Sequence, residues 1–416
     1  MTRLPAALAA LLGAAGLLVA RSWTIDIPYS IDFRVYHLAG ERLASGRAAD
    51  LYAPQQAASE GQQVALARNE FKNLPIIAAA FIPFSWLPYL AAKRVFWILS
   101  LACLLGAAFV TARCAGRLGG RADPAWFCLV TALFLAAAPA HISLRHGQLT
   151  PVALLGLAIS LSLALSGRDR AAGAVLACAA ALKIPLLALV ASDVARRATR
   201  RLLWWAVASA ALLASSILLF GPALHGSYLD HIFSHAGRAM TGHNNQSLDG
   251  ALMRIMTRDS TLNDWTPLAE PVPVMAVRSA ASVALLGVLA FALWRSRSLR
   301  GPRALALDLP AFLSLGLLLF PVAWDHYFLF LILALPYLVC ALPAPAGTGE
   351  RLLRLGSLVA AGALLMLPTP HGLLEGSHPP GLAAHIAISH YTLGALVMFL
   401  LSALGLSRCG KESPAR

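Results

Sequence analysis

Residues 171–195, AAGAVLACAAALKIPLLALVASDVA, are 25 positions of apolar and small residues interrupted by Lys183, Ser192 and Asp193. A helix of that length crosses a bilayer core once. A break at Lys183-Ile184-Pro185, where proline removes a backbone donor, gives instead a hairpin of two short helices. The choice decides on which side of a membrane every preceding loop lies.

The rest of the chain supplies the membrane frame. Of 416 residues, 58% are hydrophobic and 12% charged, about half the charge share of a typical soluble domain. Apolar stretches of about 20 residues recur along the whole length, each long enough to cross as a helix. The sequence therefore predicts an all-α, polytopic membrane protein, one integral domain over 1–416 with no internal repeat, low-complexity tail or soluble domain. The net charge of +14, from 33 Lys and Arg against 19 Asp and Glu, reports which loops stay in the cytoplasm and implies no nucleic acid. The six cysteines match no zinc spacing and fall in no long outer loop, so neither a metal finger nor a disulfide framework is expected.

Counting arginines backward from the C-terminus orders the loops. SRCGKESPAR at the end, GERLLR at 349–354, RSRSLRGPR at 295–303 and RRATRR at 196–201 are basic, and each is separated from the next by two apolar spans. All four are expected in the cytoplasm, with outer loops near 223–272, 322–326 and 369–384. The run LPIIAAAFIPFSWLP at 74–88 is short and carries three prolines. If it does not cross, and 171–195 is a hairpin, then RCAGRLGGR (113–121) and GRDR (167–170) also fall inside. The opposite choice exports those five arginines and internalises only Lys93, Arg94 and Arg145, so the first is preferred.

Twelve spans result, at about 4–23, 90–112, 124–140, 149–166, 170–183, 185–195, 202–221, 273–294, 304–321, 327–343, 354–368 and 385–407. The N-terminal run reads as a signal anchor in preference to a cleaved signal peptide, because so many spans follow it. Both termini are then cytoplasmic, and 26–89 and 223–272 are the large outer loops, the first carrying juxtamembrane helices. All twelve histidines fall in outer loops or at outer helix ends on this topology. Most suit the interface as amphipathic rings, yet their placement marks the outer face as the side equipped for chemistry.

Five places there carry candidate residues. Asp32 follows the first span beside Tyr36 and His37 on an amphipathic stretch, where a carboxylate within hydrogen-bond reach could take a proton from an attacking hydroxyl. A solvated acid paired with Arg34 is the plainer alternative. Lys183 lies between apolar flanks, and an ionisable group so placed is a functional candidate, here for a phosphate at the membrane boundary; snorkelling to the headgroups is its bland reading. Asp308, near Arg303 at the inner edge of a span, reads as structural. LRHGQLTP at 144–151 offers Arg145, His146 and Gln148 on a turn, although any helix junction is polar. TGHNNQSLDGALMRI at 241–255 gathers amides, including Asn245, ahead of Arg254, a set suited to a sugar phosphate. PVAWDHYF at 321–328 adds Trp324, Asp325 and His326, of which only the Asp-His pair exceeds an ordinary aromatic belt. No carboxylate cluster has metal-ligand spacing, so no metal ligands and no cofactor are assigned, and metal dependence is not legible in the sequence.

Taken in order, Asp32-x-x-x-Tyr36, the proline-spaced element at 71–88, the Gly147-Gln148 turn, Leu182-Lys183-x-Pro185, Asn244-x-Gln246-Ser247-Leu248 and Trp324-Asp325-His326-Tyr327 together resemble glycosyltransferase family 87, in the GT-C class. The resemblance covers nearly the whole chain, each motif weak and the series fairly specific. It implies a polyprenyl-phosphate-linked sugar donor, a glycan or glycolipid acceptor, and an inverting hexosyltransferase acting on the outer face of a bacterial plasma (inner) membrane in envelope biosynthesis. It implies Asp32 as catalytic base, with Lys183, Arg254 and His326 around the donor phosphate and Gln148 and Asn245 nearby. His326 is placed with Asp32 as catalytic, and His146 and Tyr36 join the donor-binding set. FKNLP at 71–75 departs from the pattern, which would have an aromatic and a second proline there, and leaves the role of Lys72 open. Mannose is the family-level expectation, with arabinose, galactose or glucose as alternatives. The rival classes are a lipid or sugar transporter or flippase, and an envelope glycan polymerase or ligase using the histidines and Arg238, Arg254 and Arg258 of the 223–272 loop. Acceptor identity and oligomeric state are not legible in the sequence.

Overall fold

A computed structural model of the chain describes residues 3–22, 31–53, 70–233, 238–257, 262–263, 265–266, 268–370, 373 and 381–412. Of the residues singled out above, Arg258 and His235, His371 and His378 lie outside these. The described fold is all helix apart from a two-residue antiparallel pair, β1 (Arg238–Ala239) and β2 (Leu268–Ala269).

The first half runs α1 (Arg3–Ser22), α2 (Ile31–Ala44), the short α3 (Pro75–Ala79) and α4 (Ile82–Ser85), α5 (Tyr89–Leu118), α6 (Pro124–Ala136), α7 (Ala138–His146), α8 (Thr150–Leu165) and α9 (Asp169–Leu182). Prolines at first or second helical positions start α3, α4, α6, α7 and α8, where the missing N–H leaves no intrahelical bond unmade. Asp123 caps α6, its carboxylate accepting the Trp126 N–H at 3.1 Å. Beyond a 3-10 turn at Ile184–Leu187 come α10 (Ala188–Ala195), α11 (Thr199–Phe233), α12 (Leu248–Thr257), α13 (Val272–Arg295), α14 (Gly301–Leu319), α15 (Leu329–Ala341), α16 (Thr348–Met366), α17 (Leu382–Ile388) and α18 (His390–Glu412).

The core is centred on α15. Residues Leu329 to Ala334 are fully buried on every side, the mark of a helix enclosed by others. It packs on α5, α14 and α16, while α14 pairs with α18 and α9 with α8 and α11. By contrast α11 presents Leu218 and Leu219 outward and α13 presents Val283 and Phe291, apolar faces that suit lipid.

Each predicted span is occupied by helix, and the all-helical membrane class stands. Five described helices are long and apolar enough to cross alone, or six if α6 and α7, bent by 56° to each other, form one span. The number twelve therefore counts apolar segments rather than established crossings, because several of them are half-length helices.

Two doubtful segments resolve physically. Residues 74–88 form the short α3 and α4, too short to cross. Residues 171–195 break at Lys183 as the proline suggests, and they double back. Asp169 at the start of α9 lies 3.9 Å from Arg201, and Asp193 near the end of α10 lies 2.6 Å from the same guanidinium. The chain thus returns to its starting level, and Lys183 sits at the far tip, about 21 Å along α9.

Asp308 is structural. Arg196 grips it with two hydrogen bonds of 2.7 and 2.8 Å, while Arg303 donates to the Ala341 carbonyl. Gly221-Pro222, a glycine-proline pair that reads as a helix stop, does end one helix, and a second begins directly after it within α11. Gly221 adopts φ 78°, ψ 158°, a region open to glycine. His225 pins the kink by bonding the Gly221 carbonyl at 2.8 Å and the Ser216 hydroxyl at 2.9 Å.

Candidate functional site

The amphipathic stretch after the first span becomes α2, and its apolar face is buried among aromatics. Phe33, fully buried, stacks on Phe96 at 5.0 Å, and Tyr36 stacks on Phe81 at 4.9 Å. That packing fixes the rotation of the helix, leaving Asp32 in its first turn, where the helix dipole favours an anion. The turn after α7 comes up against α2. Gly147, at φ +68°, lies so close that an added Cβ would stand 2.5 Å from the Phe33 Cβ.

This approach assembles the polar cluster. His146 Nδ1 stands 4.0 Å from an Asp32 carboxylate oxygen. Gln148 Oε1 accepts a 2.8 Å hydrogen bond from the Lys183 ammonium and lies 3.5 Å from the Tyr36 hydroxyl. Lys183 also sits 4.9 Å above the Tyr327 ring, a cation–π contact. Burial, reinforced by the negative charge of Asp32, pushes the Tyr36 hydroxyl well above its ordinary pKa, so it remains a neutral phenol.

His326 completes this set from the other half of the chain. Its backbone N–H donates to an Asp325 carboxylate oxygen at 2.7 Å, and its Nδ1 lies 3.4 Å from the same oxygen. Its buried Nε2 has no hydrogen-bond partner among the described residues. A buried polar atom left unmade is costly, so that nitrogen is the one available to a ligand. The structure thus gathers Asp32, Tyr36, His146, Gln148, Lys183 and His326, from α2, the turn after α7, the tip after α9 and the turn before α15.

Arg254 and Asn245 are placed differently. Arg254 is wholly buried and donates to the carbonyls of Gly242 at 3.0 Å and Asn245 at 2.7 Å and to the Ser389 hydroxyl at 3.0 Å. Asn245, also wholly buried, donates to the Met240 carbonyl and accepts the N–H groups of Ser247 and Ala323. These side chains are consumed in building the 240–247 loop, which differs from the expectation that they contact a sugar phosphate. The loop in turn holds the 321–325 segment, since Gln246 N–H donates to Ala323 and Asp325 N–H to Asn244. The loop thus meets the turn that carries His326 through backbone hydrogen bonds.

The sequence profile of glycosyltransferase family 87 matches residues 71–321, more than half of the 416-residue chain. The chain belongs to glycosyltransferase family 87. The match takes in His146, Gln148, Lys183, Asn245 and Arg254, whereas Asp32, Tyr36 and His326 lie outside it. The family 87 chain is also 26% identical over 295 residues to the polyprenol-phosphate-mannose-dependent alpha-(1-2)-phosphatidylinositol pentamannoside mannosyltransferase of Mycobacterium tuberculosis (strain CDC 1551 / Oshkosh). That alignment takes in 70% of this chain and spans 62% of the relative's length.

One residue of the cluster escaped the sequence reading of this family 87 chain. Tyr327 was assigned to the aromatic belt, and only the fold brings its ring under Lys183.

Proposed function

We propose that this chain is an inverting glycosyltransferase that moves a sugar, mannose by analogy with the mycobacterial relative, from a polyprenyl-phosphate donor to an acceptor hydroxyl on a glycan or glycolipid. The observation that carries the reading is the meeting of one carboxylate, Asp32, with one buried ammonium, Lys183, in a single polar cluster bridged by His146, Gln148 and Tyr36.

In the proposed reaction the acceptor oxygen attacks the anomeric carbon from the face opposite the phosphate. Its proton passes to an Asp32 carboxylate oxygen. The bond from the anomeric carbon to the phosphate oxygen breaks, and the electron pair leaves on the phosphate. Lys183, held by Gln148 and Tyr327, is positioned to meet that growing charge, and His326 Nε2 is left to bond a phosphate or sugar oxygen. Preorganised cations of this kind commonly supply much of a rate enhancement.

The site is placed on the extracytoplasmic face of the plasma membrane, with both termini in the cytoplasm, on the arginine bias of the loops. The test uses purified protein in lipid nanodiscs with radiolabelled polyprenyl-phosphate mannose, arabinose, galactose and glucose. Consumption of the mannose donor is expected. Asp32→Asn is expected to slow transfer by about 10²–10⁴-fold while donor binding persists. Undiminished transfer by Asp32→Asn would remove the base from the mechanism.

A further inference from the structure

The hairpin with Lys183 at its tip is closed at its base by α9 and α11. Gly173 permits the close approach, since an added Cβ there would stand 2.2 Å from the Arg201 carbonyl oxygen. Arg201 turns inward, 2.6 Å from Asp193 and 3.9 Å from Asp169. Arg200, one position earlier on the same helix, is exposed instead.

Against this junction lies a cavity of about 360 Å³, lined by Gly167, Arg168, Asp169, Arg170, Ala171 and Arg200. Its volume falls in the range of small-ligand sites. Arg168, Arg170 and Arg200 are all exposed, so three guanidinium groups from two separate segments converge on one carboxylate, and that carboxylate is already beside Arg201. Other arginines of the basic loops are spent on the protein itself: Arg196 on Asp308, Arg303 on the Ala341 carbonyl, and Arg300 on the carbonyls of Arg297 and Leu299. Arg168 and Arg200 have no side-chain hydrogen bond or ion pair among the described residues. Residues 168–171 are also the cap and first turn of α9, where no side chain caps the helix and the dipole favours an anion.

Trp204 sets the level of this cavity. The Arg170 guanidinium lies 5.9 Å from the centre of its ring, and Trp204 is exposed together with Leu203 and Val207 of the same helix. An indole between a cation and an outward apolar helix face is the pattern of a membrane–water boundary.

We propose that the cavity binds the phosphate of an anionic phospholipid, from the leaflet that meets the hairpin base. On the arginine count that leaflet is the cytoplasmic one. The inference does not use the transferase reading. Guanidinium groups suit a phosphate because each presents a fork of donors to its oxygens, and Leu203, Trp204 and Val207 leave the acyl chains on the apolar side. A phosphate held there ties the 167–171 turn to the start of α11.

The test uses the full chain purified in neutral detergent, with three probes: phosphatidylglycerol, phosphatidylcholine with the same acyl chains, and glycerol phosphate. Bound lipid is counted on the folded chain by native mass spectrometry, and stability is read as the melting temperature. The wild type is expected to retain phosphatidylglycerol over phosphatidylcholine and to melt higher with it, because a ligand of the folded state stabilises it by mass action. Glycerol phosphate at the same concentration should do neither. Arg168→Gln combined with Arg200→Gln is expected to raise the phosphatidylglycerol Kd by about tenfold, with the lipid-free melting temperature unchanged. Arg351→Gln removes an exposed charge from another basic segment, outside the cavity, and should bind as the wild type does. Undiminished phosphatidylglycerol binding by the double variant, an equal loss in Arg351→Gln, equal retention of phosphatidylcholine, or an equal effect of glycerol phosphate overturns the proposal.

Discussion

Asp32 and Lys183 have the same kind of neighbourhood, a short polar patch against aromatic and aliphatic walls, yet they were visible in the sequence for different reasons. Lys183 stands out because a charge inside an apolar run is costly and a proline follows two residues later. Asp32 stands out only through its place just after the first span. Tyr327 could not be ranked by either signal, because what qualifies it is a neighbour brought by folding, Lys183.

At the scale of elements, the periodicity of 31–44 was enough to predict a buried helical face, and Phe33, Tyr36 and Ala39 form it. Its docking partner was not legible, because Gly147 meets Phe33 across more than a hundred residues of chain. The same limit explains Arg254 and Asn245. Their amides and charge looked like ligand contacts, but the carbonyls of Gly242 and Met240 and the distant Ser389 and Ala323 claim them first. Gly147→Ala tests the docking. An alanine at φ +68° costs about 1–2 kcal/mol from the backbone alone, and its Cβ would stand 2.5 Å from that of Phe33. Relief of this clash moves α2, and with it Asp32, away from His146 and Lys183. Thermal unfolding should show a modest loss of stability, and transfer should drop by more than the folded fraction accounts for. Wild-type transfer in the alanine variant would mean that the approach of α2 to the Gly147 turn does not set the site.

For the whole molecule, the arginine count carried the topology further than hydropathy did. Hydropathy alone gives five or six complete spans among the described helices, because α9, α10 and α15 are too short to register. The loop charges, by contrast, required 171–195 to double back, and Arg201 meets both Asp169 and Asp193 as that return demands. This geometry fixes the relation of two ends without a membrane: Arg201 lies at the base of the hairpin and Lys183 at its tip, beside Asp32. Orientation in the cell is the remaining step, and surface labelling reaches it. Asp50 follows α2 on the Asp32 side and Arg200 precedes Arg201, and both side chains are exposed. In intact cells, Asp50→Cys should react with a membrane-impermeant maleimide and Arg200→Cys should react only after permeabilisation, each read against the unsubstituted chain with its six native cysteines. The reverse pattern would put the cluster in the cytoplasm, where an acceptor and a donor would have to be presented from the inner leaflet. Equal labelling of both positions in sealed cells would mean that the hairpin base and the Asp32 cluster share one face, which a membrane-spanning hairpin with Lys183 at its tip does not allow.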